Sequence, residues 1–230
     1  MSNQLDLEEQ EQLEELKAFW KQWGNAITWV CIVVLSAFAA WNAYQYWQRN
    51  QAAQAAALFD EVQRVQASGD TEKVERVFGD MKSRFGSTVY AAQTGLLTAK
   101  VLFDAGKADA AKAALQWVVS ESADPGYSTI ARLRLAGILL DAKDDAGALK
   151  LLEPDASPEF AALQADLRGD VYLDMGDRAR AKAQYQLAYK GMDANEQYRR
   201  LVEVKLNSLG VDPTAPEAVA ASTTKPEAAR

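Results

Sequence analysis

Arg168-Gly-Asp-Val-Tyr-Leu-Asp-Met-Gly-Asp-Arg-Ala-Arg-Ala-Lys-Ala-Gln-Tyr-Gln-Leu-Ala188 reads as two helices joined by one tight turn. Gly169 is the small residue where the paired helices approach closely, and Tyr172 is expected to fill the space between them. Gly176 and Asp177 make the turn, since glycine enters left-handed backbone at no steric cost. Ala181, Tyr185 and Ala188 recur at spacings of four and three, which puts them on one face of the second helix.

Three more turns fall in phase with this one: Ser68-Gly69-Asp70, Ala105-Gly106-Lys107 and Ala142-Lys143-Asp144. The four centres, 69, 106, 143 and 176, stand 37, 37 and 33 residues apart. A period near 34 is the signature of tetratricopeptide repeats, helix pairs that bury their apolar faces only by stacking on neighbours. The flanking units keep the same skeleton: Ala99, Leu102, Gly106, Ala111, Leu115 and Val118, then Leu135, Ala136, Leu139, Ala148 and Leu152. In these units alanine replaces the small glycine, and Lys143 replaces the turn glycine. Residues 51–86 form a degenerate first unit with Val65, Gly69, Val74 and Phe78, whose first helix can continue from the segment before it. Residues 195–209 read as a helix that caps the stack. Pro213, Pro216 and Pro226, amid Ala, Thr and Ser, mark residues 210–230 as a disordered tail.

Ahead of the repeats, no charged side chain occurs from Gln22 to Gln48, and at 1.5 Å per residue these 27 residues reach ~40 Å, beyond the ~30 Å of a hydrocarbon core. Trp20, Trp23 and Trp29 bracket the run on one side, and Trp41, Tyr44, Tyr46 and Trp47 on the other, as two interfacial belts would. A buried core helix would be shorter. A signal peptide would start basic, whereas Asp6, Glu8, Glu9, Glu11, Glu14 and Glu15 make this start acidic. Ala37-Phe-Ala39 mimics a cleavage site, yet the apolar run continues past it. The expectation is an uncleaved membrane helix over 23–48, after an acidic arm over 1–22 that is amphipathic or partly disordered. Lys17 and Lys21 precede the helix and Arg49 follows it, a bias toward a cytoplasmic N-terminus. Residues 49–209 then form the repeat domain.

Composition narrows the function. A net charge of −7 on 230 residues does not attract nucleic acid. The chain has no histidine, the commonest general base and metal ligand. The single cysteine, Cys31, allows neither an internal disulfide nor a thiolate zinc cluster. Asp144-Asp145 and Glu8-Glu9 are adjacent residues that do not face each other on a helix. Gly86 and Gly210 are isolated turn glycines, not phosphate loops. No catalytic, cofactor or metal residue emerges, and Trp117 and Tyr127 read as packing residues.

The acidic arm before one membrane helix, the Tyr46-Trp47 exit, the Ala-rich units, the Ala165-Asp-Leu-Arg-Gly-Asp170 box and the Val204-Lys-Leu-Asn-Ser-Leu209 ending together resemble the YfgM-like family. Members of that family are ancillary subunits of the SecYEG translocon. The resemblance covers about residues 12–209. It implies a single-pass inner-membrane protein with a periplasmic repeat domain, associated with SecYEG and with a membrane-anchored periplasmic prolyl-isomerase-like chaperone, and assisting exported client proteins. Membrane lipid and proteins are then the partners. A repeat scaffold for an envelope or cell-division complex is the alternative, and an enzyme the distant third class.

One recurrence singles out candidate binding residues. The first helix of each good unit ends in Phe103-Asp104, Leu140-Asp141 or Leu173-Asp174. A carboxylate at a helix C-terminus faces the negative end of the macrodipole, so its repetition invites a reason. One reading is a ladder of apolar and acidic groups in a protein-binding groove. The commoner explanation for aspartate near turns is a solvated residue that bonds local backbone.

Overall fold

The computed structural model describes residues 7–193, 195 and 197–214; side chains before Gln12, and that of Ser68, are not described. Among the described residues the chain is all-helical. The helices are α1 Leu7–Ser68, α2 Thr71–Phe85, α3 Val89–Asp104, α4 Ala108–Glu121, α5 Pro125–Asp141, α6 Asp145–Leu152, α7 Pro158–Asp174, α8 Arg178–Gly191 and α9 Gln197–Ser208. The chain divides after Gln54 into two units.

The first unit is the N-terminal part of α1. The helix is already formed at Leu7, so the acidic arm from there on is helical. α1 is long and apolar enough to cross a membrane, and no residue of its most apolar stretch is buried. Trp29, Val33, Phe38 and Trp41 are each more than 60% exposed. A helix that is apolar around its circumference needs an apolar medium.

The second unit begins at Ala55 with the end of α1 and stacks each helix on the next. Local chemistry sets the boundaries. Asp70, Asp144 and Asp177 cap α2, α6 and α8 by accepting the N–H of Lys73, Gly147 and Arg180. Thr88 and Asp124 cap α3 and α5 in the same way. Pro125 and Pro158 occupy first turns, where the missing N–H costs nothing. Every turn centre read from the sequence has left-handed backbone: Gly69 at φ 72°, Gly106 at 77°, Lys143 at 63° and Gly176 at 78°. After α3, α5 and α7 the turn closes by the same two bonds. Gly106 N–H donates to Phe103 O and Lys107 N–H to Leu102 O, and the pattern repeats from Lys143 and Asp144 and from Gly176 and Asp177. That is the Schellman closure, in which one left-handed residue satisfies the last helical carbonyls. Gly210 closes α9 the same way, with Val211 N–H on Leu206 O and the Val211 side chain packed on the core. The domain therefore includes residues 210 and 211, while 215–230 of the expected tail lie outside the described residues.

The core is the repeat skeleton. Ala99, Leu102, Ala111, Leu115, Val118, Leu135, Ala136, Ala148, Leu152, Ala181, Tyr185 and Ala188 are all buried. The degenerate first unit packs as expected, with Val65, Val74 and Val101 together. One assignment needs correction. Tyr185, not Tyr172, fills the space between α7 and α8. A Cβ on Gly169 would lie 2.4 Å from the Tyr185 ring, which is completely buried. Tyr172 lies half-buried, with the Arg180 guanidinium 4.6 Å from its ring centroid. A second close approach carries no turn-linked spacing: a Cβ on Gly95 would meet Val118 at 2.4 Å and Phe78 at 3.3 Å. Trp117 packs edge-on to Phe78 at 5.4 Å, and Tyr127 accepts a bond from Gln93 at 2.6 Å.

Candidate protein-binding groove and cap

The first helices of successive pairs, the end of α1, α3 and α5, line two adjoining hollows. One, of about 430 Å³, is bounded by Phe103, Asp104, Gly137, Ile138 and Asp141. The other, of about 530 Å³, is bounded by Phe59, Gln63, Gln66, Gln93 and Leu97. Lys100 and Arg134 border both. A Cβ on Gly137 would meet nothing within 4 Å, so the glycine keeps that floor open.

The six candidate ladder residues do not share one surface. Asp104, Asp141 and Asp174 each end their helix, in α3, α5 and α7. Phe103, Asp104 and Asp141 meet in one hollow. Leu140 instead turns toward the core around Ala136, Ala148 and Val171. Leu173 is 38% exposed, and neither it nor Asp174 borders either hollow. Two of the aspartates have lysine partners. Lys100 Nζ lies 2.5 Å from Asp104, and Lys143 Nζ 2.5 Å from Asp174. The second pair joins one repeat's turn to the next repeat's helix end, and Asp174 holds the Lys143 ammonium above its ordinary pKa. Nearby, burial and the Asp174 charge push the Asp145 carboxyl up. The basic and amide lining, Lys100, Arg134 and the three glutamines, was not singled out from the sequence, because isolated polar residues on a helix have no period to mark them.

The other polar cluster ties the two most distinctive sequence features together. Asp166 is 98% buried, with an exposure of 2%. Lys205 Nζ lies 2.9 Å from Asp166 and 2.7 Å from Asp170. Tyr198 donates to Asp166, and Tyr185 to Asp170, each at 2.7 Å. Burial first, and then the bonded carboxylates, push both phenols well above the ordinary tyrosine pKa. Asp166 and Asp170 stand four residues apart and so share one face of α7, toward α9. Gln164 and Arg168 face the other way. Gln164 donates to Leu152 O and Pro154 O, and Arg168 also donates to Leu152 O, satisfying the orphan carbonyls at the end of α6. The box thus clamps α6 on one side and the cap on the other. A buried carboxylate needs such partners to be tolerated at all.

These features define an all-helical repeat protein with an N-terminal helix long and apolar enough to cross a membrane and an internal lock between α7 and α9. The sequence profile described as a tetratricopeptide repeat-like domain matches residues 17–211. Among curated relatives, a Neisseria gonorrhoeae protein named ancillary SecYEG translocon subunit is 30% identical over 88% of this chain and 98% of its own. An Escherichia coli protein of the same name is 25% identical over 88% of this chain and 97% of its own. One from Haemophilus influenzae is 29% identical over 88% and 98%. No solved structure matches the chain. The chain belongs to the tetratricopeptide repeat-like family of these ancillary SecYEG translocon subunits.

Proposed function

We propose that this protein is a non-enzymatic, single-pass inner-membrane subunit that associates with the SecYEG translocon and assists exported proteins. The observation that carries the reading is end-to-end correspondence: relatives bearing that name are matched over 97% to 98% of their length, membrane helix and repeats included. The N-terminal arm lies in the cytoplasm and the repeat domain in the periplasm, in keeping with the Lys17 and Lys21 bias. The groove between the end of α1, α3 and α5 binds protein, with Phe103 supplying apolar surface and Asp141 a carboxylate. The other two ladder aspartates, Asp104 and Asp174, are already matched by lysines and contribute less to partner choice. A membrane-anchored prolyl-isomerase-like chaperone and its clients are further partners.

Purification from gently solubilised membranes tests this. Translocon subunits and the chaperone should accompany the tagged protein. Recovery of cell-wall or division factors in their place would overturn the secretion reading and favour an envelope scaffold.

A further inference from the structure

We propose that the hollow between the end of α1, α3 and α5 receives an extended polypeptide segment bearing an acidic side chain, whose carboxylate meets Arg134 and Lys100. The inference rests on the groove being a protein-binding surface, and it specifies the chemistry that the surface takes. The chain carries a net charge of −7, yet the lining of this hollow holds two cations and no carboxylate. Arg134 spends one N–H on Leu96 O at 3.3 Å, and a guanidinium has five. Its remaining edge suits a carboxylate, which takes two parallel N–H bonds. The Lys100 ammonium is held by Asp104, but both partners are 58% exposed. A pair so solvated is worth little and exchanges for an incoming carboxylate at small cost.

The rest of the lining favours an extended segment over a helix. Gln63, Gln66 and Gln93 each present an amide with a donor and an acceptor. Gln93 commits its Nε2 to Tyr127, which leaves Oε1 to accept an N–H. Such groups match a main chain whose own N–H and C=O are unpaired, and a helix has already paired them. Phe59 and Leu97 provide apolar wall for flanking side chains. The adjoining hollow adds Asp104 and Asp141 to the shared Lys100 and Arg134, so the carboxylates of the groove lie at the helix ends and the hollow beside α1 has cations alone.

The test uses the full-length protein in detergent micelles and three fluorescent peptides blocked at both ends. Each alternates Leu and Ser and carries two central residues, which are Glu, Gln or Lys. By anisotropy at low salt, the Glu peptide should bind about tenfold tighter than the Gln peptide, the scale expected of two exposed ion pairs. The preference should vanish in the Lys100→Gln/Arg134→Gln double variant and survive in Arg134→Lys. Should the double variant fail to fold, a salt titration of the native protein gives the same reading, because the preference must collapse as exposed charges are screened. Equal binding of all three peptides, or tightest binding of the Lys peptide, would overturn the acidic-segment proposal and leave the groove standing as a binding surface. Binding of none, with translocon capture intact, would remove both.

Discussion

Gly169 and Gly137 both sit within first helices of repeats, yet one added methyl should act on them in opposite directions. At Gly169 it would lie 2.4 Å from the Tyr185 ring, which is held by its hydroxyl on Asp170 and cannot swing away. Gly169→Ala should therefore cost about 1–3 kcal/mol in urea denaturation, as overpacking does. At Gly137 the methyl meets open space. Gly137→Ala should stabilise by about 0.5–1 kcal/mol through helix propensity alone. Equal effects at the two sites would mean that the α7–α8 contact is looser than the structure has it. Lys143 offers a third case. It holds a left-handed backbone at φ 63° that disfavours any Cβ, against an exposed ion pair to Asp174. Lys143→Gly should raise the thermal midpoint, and a lower one would show that the bridge outweighs the strain. Gly169 was legible in the sequence because its distance from Gly176 is set by the geometry of one helix pair. Gly95 was not, since its neighbours Val118 and Phe78 come from two other helices and leave no local pattern.

Helices and turns were largely legible because each boundary has its own chemistry. A capping aspartate, an N-terminal proline or a left-handed glycine acts within four residues, and the unaided eye can follow that far. The lock between α7 and α9 spans 39 residues from Lys205 to Asp166, and no periodicity announces it. The box and the ending stood out as distinctive strings, but that they touch is a tertiary fact. The lock makes two predictions. Lys205→Met would leave Asp166 buried without its cation. The expected loss is about 2–3 kcal/mol, below the range for fully buried pairs because the lysine keeps 21% of its surface. A change under half a kcal/mol, about the scatter of surface substitutions, would mean that water replaces the ammonium freely. The second prediction is alkaline sensitivity. The folded domain holds the Tyr185 proton where the unfolded chain, with its ordinary pKa of about 10, releases it. This contribution is fully present below about pH 10 and declines above it, by up to about 1.4 kcal/mol per pH unit. Denaturation midpoints on either side of pH 10 should fall less steeply for Tyr185→Phe than for the parent. Identical slopes would place the titration elsewhere.

At the scale of the molecule, the membrane helix and the repeat stack were readable for different reasons: one from length and lack of charge, the other from recurrence. The groove was only half legible. Its aspartates recur in register and could be found, but the lysine, arginine and glutamines opposite them do not. The topology has a direct check. Protease added to spheroplasts should remove the repeat domain and spare the N-terminal arm, and full protection of the domain would invert the orientation. The lock also bears on the order of synthesis. Helix pairs from α2 to α6 contact mainly their sequence neighbours and can close one after another as the chain emerges. The last pair also closes on itself, α7 against α8, but its polar face waits for the cap. Asp166 and Asp170 are made well before Lys205, so this face of α7 holds two carboxylates without their cation until α9 has been made. A nascent chain stalled before α9 would then leave that face of α7 open, and synthesis of α9 closes it.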